Sequence, residues 1–501
     1  MMSALLEMIA DGKQISAHPW SRAVVSPDAW EFAGRQLVNG AWTLCAMWAE
    51  PAQVHLALLD PPAAVLGILS LDVREGRFPS IGIHHPPARR IERAIHDLYG
   101  LIPEGAPDLR PWLDHGTWNM RAPLGAARSP DAVVPYVFLP VDGEGLHQIP
   151  VGPVHASIIE PGHFRFTASG ETVVRLEVRL GYAHKGIESL MIGATLERAA
   201  QLAARASGDT TVAYSTAFAQ AVEAANSISV PSRAMWLRAL MLELERLANH
   251  LGDIGAICND AAFSLMHAHC AVLRERVLRA ADGAFGHRLM MDRVIPGGVA
   301  ADLDEAGRKL IVGLQQELRR KFSALIRLYE DTASLQDRTV GTGVVAAENV
   351  LQFGAGGFVG RASGRDFDAR RVFPQPPYDA LHFEVVTRQT GDVDARIWIR
   401  IREIEQSLSL IDQILAQLPE GGLRVPVDGR AGEGAAIVEG FRGDIFVWVR
   451  MNGDRLLAQA HLRDPSWFHW PLLEAAVENN IVADFPICNK SFNCSYSGHD
   501  L

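Results

Sequence analysis

Histidine and carboxylate side chains are concentrated between residues 150 and 190, at spacings that suit proton transfer. His184 and Glu188 in "RLGYAHKGIESL" are four residues apart, so in a helix both would lie on one face and could face the same cavity. An imidazole beside a carboxylate is a common arrangement for a proton relay. The same residues allow an alternative, in which Glu188 only occupies the first turn of a helix, where the helix dipole favours an acid.

Two further histidines extend this group. His155 and His163 precede or begin a predicted strand pair, and His184 follows its end, so the three flank one small sheet. Single histidines are more often structural or solvated than functional, and a role for these three remains a hypothesis.

The cysteines do not have the spacing of a metal site. No pair shows the Cys-x-x-Cys pattern that directs two thiolates to one metal, and an odd number of scattered cysteines argues against a disulfide framework. We therefore expect buried or unreactive thiols. The five are Cys45, Cys258, Cys270, Cys488 and Cys494.

Two other motifs carry little functional signal. The glycine-rich segment "FGAGGFVGRASG" at 353–364 lacks the G-x-G-x-x-G pattern, because Val359 occupies the sixth position, and this argues against a dinucleotide-binding loop. His84 and His85 precede two prolines in a predicted loop, where we expect them to be solvated.

Composition restricts the class of protein. The chain has 501 residues with 48% apolar residues and a net charge of −11, which is typical of a folded globular protein and argues against a nucleic-acid-binding face. Apolar runs stay shorter than the roughly 18–20 residues of a membrane span, and the acidic N-terminal segment is not typical of a signal peptide. We expect a cytoplasmic chain that reaches a membrane only through partners.

The pattern of elements predicts an α+β fold with two domains. Residues 30–75, with three short apolar runs, predict strands, and the segment "PPARRIERAIHDLYG" predicts a helix that ends at Gly100. We assign a small α/β domain to 1–125, a linker rich in Ala, Pro and Gly to 126–150, and a mainly helical domain with small peripheral sheets to 151–501.

The second domain begins with strands and continues as helices. Ser169-Gly170 predicts a turn between two strands, and residues 231–255 predict a helix with a leucine-rich stripe. Further helices are predicted near 268–284, 303–331 and 395–417. Asn452-Gly453 predicts a hairpin near the end of the chain, followed by a last helix.

Several segments, in order, resemble known subunits. "RFPSIGIHHPPARRIERAIHDLYGLIPEGAPDLRPWL" resembles the 30-kDa subunit of respiratory complex I. "VGPVHASIIEPGHFRF", "GYAHKGIESL", "LMLELERLANHL" and "RIREIEQSLSLID" resemble the large subunit of group 4, formate hydrogenlyase-type nickel–iron hydrogenases and the homologous 49-kDa, quinone-site subunit of complex I. The resemblance covers nearly the whole chain from about residue 30 and implies a fused pair of these domains.

The resemblance implies where a nickel–iron centre would be held, and those positions have lost their thiolates. The two Cys-x-x-Cys pairs of the family align with Ser207 and Thr210 in "RASGDT" and with Ser495 and Gly498 in "SFNCSYSG", while Cys494 is displaced by one residue. Nickel and low-spin iron require soft thiolates, so we expect no such centre. The chain stops at Leu501, about where metal-loaded subunits of this kind are trimmed, which we expect if there is no metal to load.

The resemblance also implies a function. We expect a large subunit of a complex I-like, membrane-associated oxidoreductase complex. It would carry no cofactor of its own and would pass electrons from a cluster on a small 4Fe–4S subunit to a quinone or another acceptor, beside membrane-arm subunits. Gly208 occupies the position of the quinone-site tyrosine, which puts the complex I mechanism in doubt. Candidate catalytic residues are His155, His184, Glu188, Asp209 and Tyr214, with Glu188 as proton relay.

Two alternatives remain open. The protein could be a redox-inactive scaffold that couples the iron–sulphur subunit to an ion-translocating membrane arm. It could instead retain a metal through His155, His184 and Glu188, which are hard or borderline ligands.

Overall fold

A five-stranded sheet and three helices form the N-terminal part of the chain. The computed structural model describes residues 3–129, 135–156 and 159–501. The sheet has the order β1-β2-β5-β4-β3, in which β2 and β5 are parallel and the other neighbours are antiparallel. The elements are α1 (Ala4–Asp11), β1 (Lys13–Ile15), β2 (Arg22–Val24), α2 (Pro27–Val38), β3 (Thr43–Glu50), β4 (Gln53–Asp60), β5 (Val65–Asp72), β6 (Arg77–Pro79), α3 (Arg89–Tyr99) and β7 (Ile102–Glu104).

The predicted elements of this part are confirmed, with two corrections. Residues 30–38, at the start of the stretch predicted as strands, lie in the helix α2, because they carry no apolar run of strand type. β3, β4 and β5 occupy the three apolar runs, and α3 ends at Gly100, whose φ of 71° is the left-handed conformation that glycine adopts without strain. His85, predicted to be solvated, is instead only 2% exposed. The prolines that follow it form a short turn (Pro86–Ala88) that leads into α3, and the burial of the ring is a tertiary effect that the local pattern does not contain.

The predicted linker is partly structured. Residues 130–134 of it lie outside the described residues, whereas its end forms β8 (Leu146–Val151). β8 pairs with β9 (His163–Ser169), which pairs with β10 (Thr172–Arg179) across the predicted Ser169-Gly170 turn. This small sheet leads into the helical domain.

Helices dominate the middle of the chain. The helix predicted from Pro231 onward is confirmed, although Pro231 is its N-cap residue and lies outside the first turn. The elements are α4 (Ile187–Met191), α5 (Leu196–Ala203), α6 (Thr211–Ala225), α7 (Ser232–Asp260), α8 (Ser264–Phe285), β11 (Val294–Ile295), β12 (Gly298–Val299), α9 (Glu305–Asp331), α10 (Ala333–Thr339), α11 (Ala347–Phe353), α12 (Gly357–Ala362), α13 (Ala369–Val372) and α14 (Val393–Gln417).

α7 is buried on its polar side as well as along its leucine stripe. The Arg246 guanidinium lies 3.4 Å from Glu403 of α14, and the His250 ring lies 2.7 Å from the same carboxylate. Arg361 of α12 completes the group at 2.7 Å from Glu403. Because a buried carboxylate needs charged partners, these contacts fix the relative positions of three helices around the start of α6.

The C-terminal part adds a three-stranded sheet and three helices. β14 and β15 form the predicted hairpin, with residues 452–456 as its loop, and β13 packs on α6. The final helices bring the C-terminal residues back to the start of the helical domain. The elements are β13 (Gly432–Glu439), β14 (Asp444–Met451), β15 (Leu457–Arg463), α15 (Ser466–Val477), α16 (Phe485–Phe492) and α17 (Tyr496–Asp500).

The two domains share a polar and aromatic interface. Arg450 of β14 lies 2.6 Å from Glu50 of β3, and Arg463 of β15 donates to the Cys45 carbonyl oxygen at 2.7 Å. Trp48 and Trp448 pack with ring centroids 5.5 Å apart. Across the described ranges, every helix is too short or too polar to cross a bilayer.

Candidate functional site

The two segments aligned with the metal-binding pairs meet in the structure. The Ser207 hydroxyl, before α6, lies 2.9 Å from the Ser495 hydroxyl, before α17, although 288 residues separate them. Ser495 is the N-cap of α17 and accepts from the Gly498 N–H at 2.9 Å. The fold therefore brings both ends of the helical domain to one buried point, as the resemblance implies. We call the residues Ser207, Asp209, Thr210, Tyr214, Arg442, Asp464, Ser495 and Gly498 the hydroxyl cluster.

An ion pair connects the two sides of the hydroxyl cluster. Arg442 donates to both carboxylate oxygens of Asp209, at 2.9 and 2.5 Å, and to the Asn493 carbonyl oxygen at 2.5 Å. Asp209 also accepts from the hydroxyls of Ser207 and Thr210, both at 2.8 Å. Burial alone would raise the pKa of Asp209, but the Arg442 guanidinium and these hydroxyls outweigh it and hold that pKa well below its usual range.

A second carboxylate fills the space next to Gly498. Tyr214 donates to Asp464 Oδ2 at 2.7 Å, and a Cβ atom at position 498 would lie only 2.4 Å from the same oxygen. Burial, followed by the charge of Asp464, raises the pKa of Tyr214 well above its ordinary value, so Tyr214 remains a donor.

Glu245 of α7 holds the first turn of α6 in place. Its carboxylate accepts from the backbone N–H groups of Val212 at 2.7 Å and Ala213 at 3.1 Å. Burial raises the pKa of Glu245 to about 8, although the two N–H groups oppose this shift. The start of α6 is thus tied to a carboxyl group that titrates near neutral pH.

The hydroxyl cluster does not fit a nickel–iron centre. Its four ligand positions provide three hydroxyls and no side-chain donor at Gly498, where Asp464 already occupies the space that a thiolate would need. Burial raises the pKa of the Cys494 thiol, which makes a thiolate there less accessible. Among residues 3–129, 135–156 and 159–501, no group of three or more His, Cys, Asp or Glu side chains is arranged to hold a metal ion.

A separate cavity of about 310 Å³ lies between the two domains. His184 and Glu188 both line it, but Glu188 pairs with a different histidine: the His461 ring lies 2.8 Å from Glu188 Oε1. The same oxygen accepts from the Leu462 N–H at 3.0 Å. His184 instead lies 2.7 Å from the Asp500 carbonyl oxygen and stacks on Trp118. We call this space the interdomain cavity.

The remaining predicted histidines lie elsewhere. His155 lies 2.7 Å from the Gly162 carbonyl oxygen, and His163 lies 3.3 Å from that of Gly152. His155 lies between β8 and β9 and His163 is the first residue of β9, and neither lines the interdomain cavity. The structure therefore does not assemble His155, His184 and Glu188 as one metal site.

Sequence reasoning missed three residues that complete these sites. Arg442 lies in the turn between β13 and β14, His461 lies in β15 and Asp464 directly follows β15, each hundreds of residues from its partner. The resemblance gave no role to the segments that contain them, and a charged residue after a strand is ordinarily solvent-exposed. The sequence alone does not show that these three side chains are turned away from solvent.

The fold and both sites define a class: a 30-kDa-type α+β domain fused to a hydrogenase-type helical domain. Residues 42–127 match the family described as the respiratory-chain NADH dehydrogenase 30 Kd subunit, and residues 260–430 match the 49 Kd subunit. The chain belongs to the family of these subunits and the related large subunits of membrane-bound hydrogenases.

Individual relatives come from both branches of this family. The chain is 32% identical to formate hydrogenlyase subunit 5 of Escherichia coli (strain K12), over 86% of this chain and 78% of the relative. It is 31% identical to the carbon monoxide-induced hydrogenase of Rhodospirillum rubrum, over 69% of this chain and 97% of that protein. It is 28% identical to the C/D component of the NADH-quinone oxidoreductase of Bacteroides thetaiotaomicron, over 78% of this chain and 79% of that protein.

A solved structure supports the same placement. A chain of the membrane-bound sulfane sulfur reductase, an archaeal respiratory membrane complex, superposes with a TM-score of 0.68 at 26% identity. The match covers 72% of this chain and all of that one. The predicted fold class and resemblance are thereby confirmed.

Proposed function

We propose that this chain is the large subunit of a complex I-like, membrane-associated oxidoreductase complex that works without a nickel–iron centre. It receives electrons from an iron–sulphur cluster on a small 4Fe–4S subunit and passes them to a quinone or another acceptor. Membrane-arm subunits hold it at the cytoplasmic face of the inner membrane. The names of its relatives, which include hydrogenases, an NADH-quinone oxidoreductase and a sulfane sulfur reductase, support membership of such a complex.

One observation carries the absence of the metal centre. The hydroxyls of Ser207 and Ser495 lie at hydrogen-bonding distance, 2.9 Å, at positions that the family gives to thiolates. Neutral hydroxyls that are hydrogen-bonded to each other are poor ligands for nickel or low-spin iron, which require soft thiolates. The Arg442–Asp209 ion pair then joins the two loops, a connection that a metal would otherwise provide.

The chain's own residues supply proton donors near both sites. Tyr214 stays protonated and donates a hydrogen bond to Asp464 in the hydroxyl cluster. Glu188 and His461 form a carboxylate–imidazole pair at the wall of the interdomain cavity. Reduction of a quinone-type acceptor consumes protons as well as electrons, and an imidazole paired with a carboxylate transfers protons at neutral pH. In this proposal Glu188 acts with His461 as the relay.

A redox-inactive scaffold is the second candidate function. It is favoured by the way the hydroxyl cluster is satisfied internally: Asp209 accepts from Arg442, Ser207 and Thr210, and Asp464 accepts from Tyr214. In such a site the hydrogen-bond donors and acceptors are already paired with one another, so few groups are free to bind an electron-accepting molecule. The protein would then couple the iron–sulphur subunit mechanically to the membrane arm.

Purification of the intact complex from its host tests both candidates. We expect iron from the partner's cluster, no stoichiometric nickel, and reduction of quinone or an artificial acceptor. Glu188→Gln should lower turnover at least tenfold with unchanged assembly, whereas Glu197→Gln, an exposed glutamate on α5, should have no effect. His155→Ala tests the turn before β9 in the same way.

The outcomes separate the two candidates. Stoichiometric nickel would contradict the proposal. Acceptor reduction that is unaffected by both substitutions, or no reduction at all by a fully assembled complex, would favour the scaffold.

A further inference from the structure

The interdomain cavity has the size and position of a ligand site. Its volume of about 310 Å³ falls within the range of small-molecule pockets, which begin at roughly 300 Å³. It lies between α3 of the first domain and the start of α4 in the second, and such boundaries are common places for ligands. Met120 and Ser189 line the cavity and are exposed, so it opens to solvent at these residues.

Aromatic rings form much of its wall. Trp48, Trp118 and Trp467 line the cavity, together with aliphatic side chains such as Ile95 and Leu98. Each tryptophan is fixed by stacking on a histidine, with ring centroids between 4.0 and 5.4 Å apart. Rigid aromatic walls favour a flat ring, which packs against them by stacking or edge contact.

Two polar atoms at this wall lack partners. Both hydrogen bonds to Glu188 go to Oε1, and within the described part of the chain nothing donates to Oε2. The Tyr99 hydroxyl accepts from Gln459 at 3.0 Å, yet the described residues offer no acceptor for its own proton. Burial, and then the charge of nearby Glu188, raise the pKa of Tyr99 well above its ordinary value, so the phenol stays protonated.

We propose that the interdomain cavity binds a planar aromatic molecule that carries a hydroxyl group. The ligand hydroxyl would donate to Glu188 Oε2 and accept from the Tyr99 hydroxyl, which satisfies both unused groups. An ammonium group has no lone pair for Tyr99, and an anion would be repelled by the Glu188 carboxylate. The inference goes beyond the proposed function, because it concerns binding and holds whether or not the protein transfers electrons.

Calorimetric titration of the intact complex with naphthol tests the inference, with methylnaphthalene as a probe of equal shape that lacks the hydroxyl. We expect one naphthol site per chain and at least tenfold weaker binding of methylnaphthalene. Glu188→Gln should weaken naphthol binding about tenfold, since it replaces a charged acceptor, and Tyr99→Phe about fivefold. Glu197→Gln, at an exposed site on α5, should leave binding unchanged.

A cavity-filling variant gives a second test of binding in case the Glu188 variant does not fold. Ala94 lines the cavity from α3, and Ala94→Leu should abolish binding while the complex still assembles. Equal binding of the two probes, or naphthol binding that survives all three substitutions, would overturn the inference. So would the lack of any saturable heat, which would identify the cavity as a space for water only.

Discussion

The hydroxyl cluster and the interdomain cavity are neighbouring regions with opposite character. In the hydroxyl cluster, carboxylates, hydroxyls and a guanidinium bind one another at 2.5 to 2.9 Å. In the interdomain cavity, Glu188 and Tyr99 each keep an unused polar atom beside about 310 Å³ of space. The positions aligned with the metal-binding pairs are closed, and open space lies at the boundary between the domains.

This difference shows how the fold fills the positions that align with the metal-binding pairs. Removal of four thiolates alone would leave buried loops without a connection and a void lined by polar atoms. Here Arg442 and Asp209 supply the connection, and Asp464 fills the space beside Gly498. The hydroxyls and the glycine at the aligned positions are therefore matched by Arg442, from the turn between β13 and β14, and by Asp464, which follows β15.

The largest expected effect comes from breaking the ion pair of the closed region. Arg442→Ala leaves Asp209 without its guanidinium partner. Removal of one member of a fully buried pair costs about 3–5 kcal/mol, and we expect about 2–3 kcal/mol here because the Asp209 side chain is 34% exposed and can be partly solvated. We expect a loss of that size in the free energy of unfolding, measured by urea denaturation. Arg402→Ala breaks an exposed pair with Glu405 and should cost less than about 0.5 kcal/mol. If Arg442→Ala and Arg402→Ala lowered the free energy of unfolding equally, the ion pair of the hydroxyl cluster would be as exposed to solvent as a surface pair.

Glu245 gives the closed region a pH dependence. Its pKa is raised in the folded state from 4.5 to about 8, so the folded protein holds a proton that the unfolded chain releases. Its contribution is fully present below about pH 4.5 and is lost as the pH rises through about 8.

Urea denaturation of the wild type and Glu245→Gln at about pH 5 and about pH 8 measures this contribution. The variant should show a weaker decline in the free energy of unfolding across this range. Parallel declines in the two proteins would assign the pH dependence to other groups, such as Glu92, whose pKa burial raises to about 7.

Substitutions at two glycines measure the free space on the two sides of the hydroxyl cluster. A Cβ atom at Gly498 would collide with Asp464 at 2.4 Å, whereas one at Gly208 would meet nothing within 4 Å. Gly498→Ala should therefore lower the free energy of unfolding by about 2 kcal/mol, and Gly208→Ala should change it by less than about 0.5 kcal/mol. Thermal or urea denaturation checks both, and a neutral Gly498→Ala would show that Asp464 yields easily.

Thiol labelling compares access to the two regions with no effect on stability. Cys494 in the closed region is buried and its pKa is raised, so it should react with maleimide at least a hundredfold more slowly than a cysteine introduced as Ser189→Cys at the cavity mouth. Mass spectrometry after timed labelling gives the rates. Similar rates at both positions would contradict the closed description.

Sequence patterns predicted most elements of the fold because those elements depend on local signals. The strands of the first domain follow apolar runs, α3 stops at a glycine, and α14 continues to residue 417 as its long periodic segment indicates. The prediction for His85 was wrong because the burial of its ring depends on tertiary packing around the turn. The local pattern of His-His-Pro-Pro contains no information on that contact.

The candidate site was predictable only in part. The resemblance placed Ser207 and Ser495 in one pocket, and the structure brings them together. It gave no indication of Arg442, because a guanidinium that joins loops 233 residues apart leaves no periodic signal. Glu188 and His184 share a cavity as predicted, yet the hydrogen-bond partner of Glu188 comes from β15, which no spacing rule connects to α4. The catalytic roles assigned to these residues stay predictions.

The covalent fusion of the two domains has a consequence for any molecule between them. The walls of the interdomain cavity come from both halves of one polypeptide, whereas the solved sulfane sulfur reductase chain corresponds to only 72% of it. A tether replaces a concentration-dependent encounter by an intramolecular one, with effective concentrations that reach the millimolar range for short linkers. Occupancy of the interdomain cavity therefore depends on the concentration of the ligand and not on the concentration of the protein.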